Sequence, residues 1–312
     1  MKLRAVLALG AITLLSACTG QPPAEPEATK STEQSSAAGT LKAVIFEDDK
    51  PLVQANGGSV EGLAIEVLNQ IRGEAGLSDV SYVRATSVDD GLDSISSGKA
   101  DIACGVPFTW ERATTFSYSL PFAIGGTRVL AAAGVDGTPD SLKAIKVGVV
   151  ENSAAAKVLG SVVPEAELTL FKTPAEALAA LNDNTVQALG GGSLWLAANK
   201  GDSNTMLVPV RPYGRSGISC IVKQDNGKLL SSTNLAIGQM MQAYVDGDAG
   251  SREEINRWIG PDSSIKLSED TISALYRVML ASTAEISINV KSPDEVVEDI
   301  DMETTNETQK AE

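Results

Sequence analysis

The sequence predicts an α/β protein of two lobes, and three observations point there. Strand-like and helix-like segments alternate from Leu41 onward. The same alternation restarts at Lys146. In both halves, helix-capping signals separate the strands from the helices that follow. Such alternation implies largely parallel sheets with helices on both faces, and its repetition implies two such units. A chain of 312 residues is long enough for two lobes of ordinary size, and 43% apolar content is enough to fill their cores.

The first element lies ahead of the lobes. Lys2 and Arg4 form a short basic segment, and residues 5–15 form an apolar run. That run has the length of a signal-peptide core and is short for a membrane span. It ends in Leu15-Ser16-Ala17-Cys18, which resembles a bacterial lipobox. Residues 1–17 are therefore expected to be a lipoprotein signal peptide and Cys18 the lipidated residue, tethering the chain to a membrane of the cell envelope or periplasm. Residues 18–40, rich in Pro, Glu, Ser, Thr and Ala, are expected to be a flexible linker.

Residues 41–46 suggest a strand, and 62–75 a helix with Leu63, Val67, Leu68 and Ile71 on one face. Residues 80–83 suggest a second strand. Ser87-Val88-Asp89-Asp90 fits a helix start, and residues 101–104 a third strand. In the second half, 146–150, 168–171 and 186–189 suggest strands. Asn152-Ser153 and Thr173-Pro174-Ala175-Glu176 are cap signals for the helices between them. Gly190-Gly191-Gly192-Ser193 opens a helix running to Asn199. A strand at 217–222 precedes helices at about 227–246, 251–259 and 269–282, the second with a cap at Ser251. The chain then turns polar and acidic, and 287–312 is expected to be disordered.

Composition excludes several functions. The net charge of −15 argues against nucleic acid, although residues 268–312 alone hold 11 acidic against 3 basic residues. The chain has no histidine, which removes Ser-His and Cys-His nucleophiles and His-ligated metals. No metal or cofactor is expected. Carboxylate acid–base chemistry is not excluded.

Residues 41–260 resemble the family 3 extracellular solute-binding proteins that serve amino-acid ABC importers. Ser97-Gly98-Lys99-Ala100-Asp101-Ile102 is similar to that family's turn into its third strand. Thr109-Trp110-Glu111-Arg112-Ala113 and Phe116-Ser117-Tyr118-Ser119-Leu120-Pro121-Phe122 are similar to the segments that follow it, and Val147-Gly148-Val149 to the opening of lobe two. The resemblance implies a type II periplasmic-binding-protein fold: two doubly wound sheets joined by two hinge crossovers. Lobe 1 is expected at 41–126 and 217–267, lobe 2 at 127–216, and a helical extension at 268–286. It implies a monomeric receptor, not an enzyme, that closes on a small polar solute and hands it to an ABC permease.

By the same resemblance, Arg112 pairs the solute's carboxylate, with Gly105, Val106, Asn152, Ser153, Gly192 and Ser193 around it. The chain departs from the family at Pro107, Ala64, Asn152-Ser153-Ala154 and Gly192, where hydroxyls and acids are usual. Gly192 replaces the acid that holds the ligand ammonium. Glu47, Asp48 or Asp49 could take over that role, or could form a solvated acidic turn. These losses resemble a cyanobacterial orphan subgroup found beside glycine-rich peptide and radical-enzyme cassettes, which implies a modified short peptide as ligand, with Gly190 to Gly192 leaving room. Some relatives resemble cyclohexadienyl dehydratases, for which Glu151 or Asp48 would be the acid. A third alternative makes the 269–282 helix a partner-docking element, against its role as a core extension. In this fold the returning strand lies antiparallel to the third strand, so Cys104 and Cys220 are either a disulfide or two buried thiols.

Overall fold

The computed structural model describes residues 39–46, 49–56, 58–200 and 204–288. Cys18, residues 18–38 of the expected linker, Asp48 and the tail from residue 289 lie outside these; Thr40, expected in the linker, already belongs to β1, and residues 287–288, expected in the tail, belong to α10. Lobe 1 opens with β1 (Thr40–Phe46), the hairpin β2 (Gln54–Asn56) and β3 (Ser59–Glu61), α1 (Leu63–Glu74) and β4 (Asp79–Ala85). It continues through α2 (Val88–Ser96), β5 (Ile102–Pro107) and the single turn α3 (Trp110–Ala113). The long strand β6 (Phe116–Ala132) crosses into lobe 2. There follow α4 (Pro139–Leu142), β7 (Lys146–Val150), α5 (Ala154–Val162), β8 (Glu167–Phe171), α6 (Pro174–Asn182), β9 (Ala188–Gly192) and α7 (Ser193–Asn199). A second long strand, β10 (Thr205–Lys223), returns to lobe 1, which ends in α8 (Gly227–Asp246), α9 (Ala249–Ile259) and α10 (Glu269–Ile288).

One ladder of eight strands, in the order β4-β1-β5-β10-β6-β9-β7-β8, runs through both lobes. Within each lobe the outer strands are parallel: β1 with β4 and β5, and β7 with β8 and β9. The two long strands pair antiparallel with each other and join the halves. The doubly wound layering is present in each half. On one face of the lobe 1 sheet, α1, α8, α9 and α10 bury Leu68, Ile71, Met241 and Trp258. On the other, α2 covers Val44, Ala103 and Ile221. Lobe 2 has a core on each face, around Val147 and Leu159 and around Leu189 and Leu196.

Local chemistry explains the helix starts. Ser87, Ser153 and Thr173 each accept a hydrogen bond from the backbone N–H three residues on, and Glu176 completes a capping box. The expected cap of α9 at Ser251 is displaced. Asp248 caps instead, accepting from the Ser251 amide at 2.8 Å, because left-handed Gly247 has already closed α8. The expected strand at 217–222 is longer, reaching back to Thr205.

The extension α10 is part of lobe 1. Ile272, Tyr276 and Met279 are buried in its core. Tyr276 meets Tyr244 edge-on at 5.5 Å, and its hydroxyl donates to the carbonyl of Phe122 on β6. Arg252 and Asn256 on α9 both donate to Glu269. Among the described residues, no helix is long and apolar enough to cross a membrane.

Cys104 on β5 faces Cys220 on β10, and the two are joined by a disulfide with Cα atoms 3.9 Å apart. Both are buried, and 116 residues, including all of lobe 2, separate them in sequence. Closing so long a loop restricts the unfolded chain strongly. Replacing both by alanine should lower unfolding free energy by about 3–5 kcal/mol. Urea unfolding of the pair variant beside the oxidised parent measures this; equal midpoints would show that the bond contributes nothing.

Candidate functional site

The loop after β1 is built around backbone groups. The Asp49 carbonyl accepts from the amides of Leu52 and Val53, at 2.8 and 3.0 Å. The first amides of α1, at Leu63 and Ala64, donate to the carbonyls of Pro51 and Leu52. Those amides have no partner within the helix, so the helix start and the loop satisfy each other. Gly62 makes the approach feasible: its φ is +142°, and a Cβ there would lie 2.1 Å from the Leu52 oxygen.

This frame holds Asp49 at the carboxyl end of the sheet. Gly105, on the adjacent strand β5, has φ +98°, and its missing Cβ leaves the space faced by Asp49 Oδ2, 3.8 Å from where that atom would be. The Asp49 carboxyl has no hydrogen-bond or ion-pair partner among the described residues. The residue keeps part of its surface, yet its carboxyl is enclosed by protein, and burial pushes its pKa up to about 8. An acid so placed, without a partner among the described residues and at the strand ends of an α/β sheet, is a candidate for a functional site.

Arg112 stands at the same edge. Thr109 caps α3 by accepting from the Arg112 amide at 3.2 Å. The guanidinium donates to the Pro107 carbonyl at 3.3 Å, and the Tyr118 hydroxyl donates to the same oxygen at 3.2 Å. Arg112 is half-buried and has no carboxylate within ion-pair distance among the described residues. Phe108 meets Trp110 edge-on and Tyr118 at a tilt, each ring centroid 5.0 Å from its own.

The strand ends of lobe 2 face this edge. Asn152, with φ +57°, follows β7, and its amide donates to Asp89 Oδ2 of lobe 1 at 3.0 Å. Lys157 on α5 pairs with Glu111 on α3. A cavity of about 320 Å³ lies at the seam, lined by Asp89, Leu92, Glu111, Arg112, Asn152 and Lys157. That is the scale of a small-molecule site.

The expected residues thus fall into groups. Asp49, Gly105 and Arg112 share one edge of lobe 1. Asn152 reaches the seam, but its amide is engaged by Asp89. Ser153 caps α5 through its oxygen, which leaves its hydroxyl proton to donate. Ser193 Oγ lies 3.8 Å from the missing Cβ of Gly125 on β6, close to the crossover. Val106 does not face the cleft: it is buried in the α2-side core, so its side chain serves packing. The three lobe-two glycines also divide. A Cβ on Gly190 would lie 2.3 Å from Leu159 and 3.0 Å from Val149, and one on Gly191 would lie 3.2 Å from Leu196; only at Gly192 would it meet open space. The room expected for a peptide along all three is therefore reduced to one position. Asp89, Glu111 and Lys157 were missed as seam residues, because their pairing needs two lobes in contact and no local pattern signals that.

A family model described as bacterial extracellular solute-binding proteins, family 3, matches residues 41–248. The L-cystine-binding protein TcyJ of Escherichia coli strain K12 is 25% identical over 214 residues, covering 67% of this chain and 78% of that protein. Among solved structures, an ancestral arginine-binding protein bound to arginine superposes with a TM-score of 0.63 at 23% identity, covering 72% of this chain and 100% of the other. The ancestral amino acid-binding protein AncCDT-1, a precursor of cyclohexadienyl dehydratase, gives 0.62 at 21% identity, covering 71% and 96%. These structures share the two-lobed fold with this chain.

The Asp49 environment has a measurable consequence. Its carboxyl binds a proton more tightly in the folded than in the unfolded chain. Stability contributed by that proton is full below about pH 4 and falls as pH rises towards about 8. Asp49→Asn removes this slope. Urea unfolding at pH 5 and pH 8.5 should show the variant gaining roughly 1–3 kcal/mol on the parent between the two, a range discounted for residual exposure. A difference independent of pH would mean that Asp49 titrates normally.

Proposed function

Because the chain belongs to the family 3 bacterial extracellular solute-binding proteins, we propose that it is a non-enzymatic receptor for a small zwitterionic solute of amino-acid size. It works outside the cytoplasm, as members of that family do. One observation carries this reading: among the described residues, Asp49 is an acid without a partner and Arg112 a guanidinium without an acid partner, both at the carboxyl ends of lobe 1's sheet. An ammonium group fits the first and a carboxylate the second. A solute spanning both would satisfy two groups that the protein leaves incomplete, and lobe 2 would close over it with Ser153 and Ser193.

This arrangement also accounts for Gly192. The acid usual in the family at that position is absent, and Asp49 supplies the negative charge from lobe 1 instead. The relatives that bind cystine and arginine point to the same class of solute. Lipid on Cys18 would hold the receptor at the membrane, where a permease of an ABC importer would collect the solute. The packed Gly190 and Gly191 favour an amino acid over a longer modified peptide.

A panel of the protein amino acids, cystine, ornithine and dipeptides, read by thermal shift, tests this. At 100 times Kd a bound solute contributes about 2.7 kcal/mol, a shift of several degrees for a body of this size. Calorimetry at pH 7 in buffers of different ionisation enthalpy should then show release of nearly one proton, as the ammonium draws Asp49 into its ionised form. Arg112→Ala should weaken binding roughly 30-fold or more. Stabilisation by no member of the panel, or turnover of prephenate or arogenate with Asp49 as proton donor, would overturn the reading.

A further inference from the structure

We infer that Asp89, Asn152, Glu111 and Lys157 form a two-point latch that biases the lobes towards closure in the absence of solute. The consequence for affinity rests on the receptor reading; the latch itself concerns only the contact between lobes.

The two contacts join segments that the chain places far apart. Asp89 lies in the first turn of α2, after β4, and Asn152 in the turn between β7 and α5. Their hydrogen bond bridges 63 residues. Glu111 and Lys157, on α3 and α5, are 46 residues apart. Each contact pairs a group beside a lobe 1 strand end with a group at the start of α5. The backbone at Asn152 suits the role, because asparagine is among the few side chains that adopt a positive φ readily. Asn152 therefore departs from the role that the family resemblance assigns it. Its amide holds the opposite lobe rather than a ligand carboxylate.

Both side chains of the ion pair are well exposed, Lys157 by 52% and Glu111 by 72%. Such a pair is weak by itself and fades with salt. Here it acts on a two-state equilibrium between lobes that, among the described residues, are connected by the two strands β6 and β10. Even a small bias changes the fraction of molecules in the closed form, and apparent affinity scales with that fraction. Lys157 also holds the Glu111 carboxyl below the usual carboxylate range, so the pair stays ionised at neutral pH.

Pulsed electron spin resonance between labels at Asp93→Cys on α2 and Lys172→Cys beyond β8, in the full chain carrying Cys18→Ser, tests the latch directly. No solute is present, so the outcome is independent of whether the amino-acid panel finds a ligand. Lys157→Glu should lengthen the mean separation and raise the open-to-closed ratio about two- to fivefold. Sodium chloride at 1 M should act in the same direction on the parent. Glu111→Lys combined with Lys157→Glu should restore the parental distribution. Asn152→Gly, which tolerates the same backbone conformation, should open the lobes by deleting the other contact. A Lys157→Glu distribution superimposed on the parent's, or a swapped pair as open as the single variant, would overturn the proposal.

Discussion

Everything in this molecule hangs on the antiparallel pairing of β6 with β10. Residues 116–132 and 205–223 run side by side from one lobe into the other, joining eight strands in one ladder. Remove that pairing and each lobe's parallel strands would lose their link to the other half. The pairing is irregular where it crosses. The register shifts between Val208 and Tyr213 and again before Arg215. Arg128 donates to the carbonyls of Leu207 and Pro209 there, holding the β10 backbone where the ladder is interrupted. Further shifts fall between Ile218 and Ile221; a continuous ladder is stiff, whereas one interrupted between Val208 and Arg215 can bend there. That is the property a two-lobed receptor needs.

On the lobe 1 side the crossover is anchored twice. The Cys104–Cys220 bond ties β10 to β5, and Tyr276 of the C-terminal helix donates to Phe122 on β6. Both long strands therefore leave lobe 1 from a fixed base. Asp49 and Arg112 stand on lobe 1 beside that base, with the start of α5 and the end of β9 on lobe 2. On the proposed reading, the binding charges belong to lobe 1 and the latch contacts bridge to lobe 2.

The sequence makes much of this legible. Short strands with strong apolar character, such as Lys146–Val150, and capped helices such as Pro174–Asn182 emerge where local chemistry and packing agree. The crossover strands are harder to see. Pro121, Gly125, Gly126, Pro209, Pro212 and Gly214 interrupt any alternation in residues 116–132 and 205–223. Their strand character comes from the partner strand rather than from local preference. The site divides the same way. Arg112 and Gly105 follow from short motifs. Asp49 is one of three neighbouring acids in sequence, and only the enclosing loop and Gly105 single it out. Val106 has the right position in a motif, but the bulge at left-handed Gly105 breaks the alternation and turns Val106 to the face opposite Cys104, into the α2-side core. Gly190 and Gly191 illustrate the same limit: a run of glycines signals space, and packing of Leu159 and Leu196 takes most of it.

Hydrogen exchange read by mass spectrometry tests the central claim most directly, with and without a saturating mixture of amino acids. The account predicts added protection in two separated regions at once: residues 49–53 and 105–112 of lobe 1, and 150–157 of lobe 2. The edge strand β8 should be unchanged. Protection confined to one lobe, or none in either, would contradict a receptor that binds its solute between them.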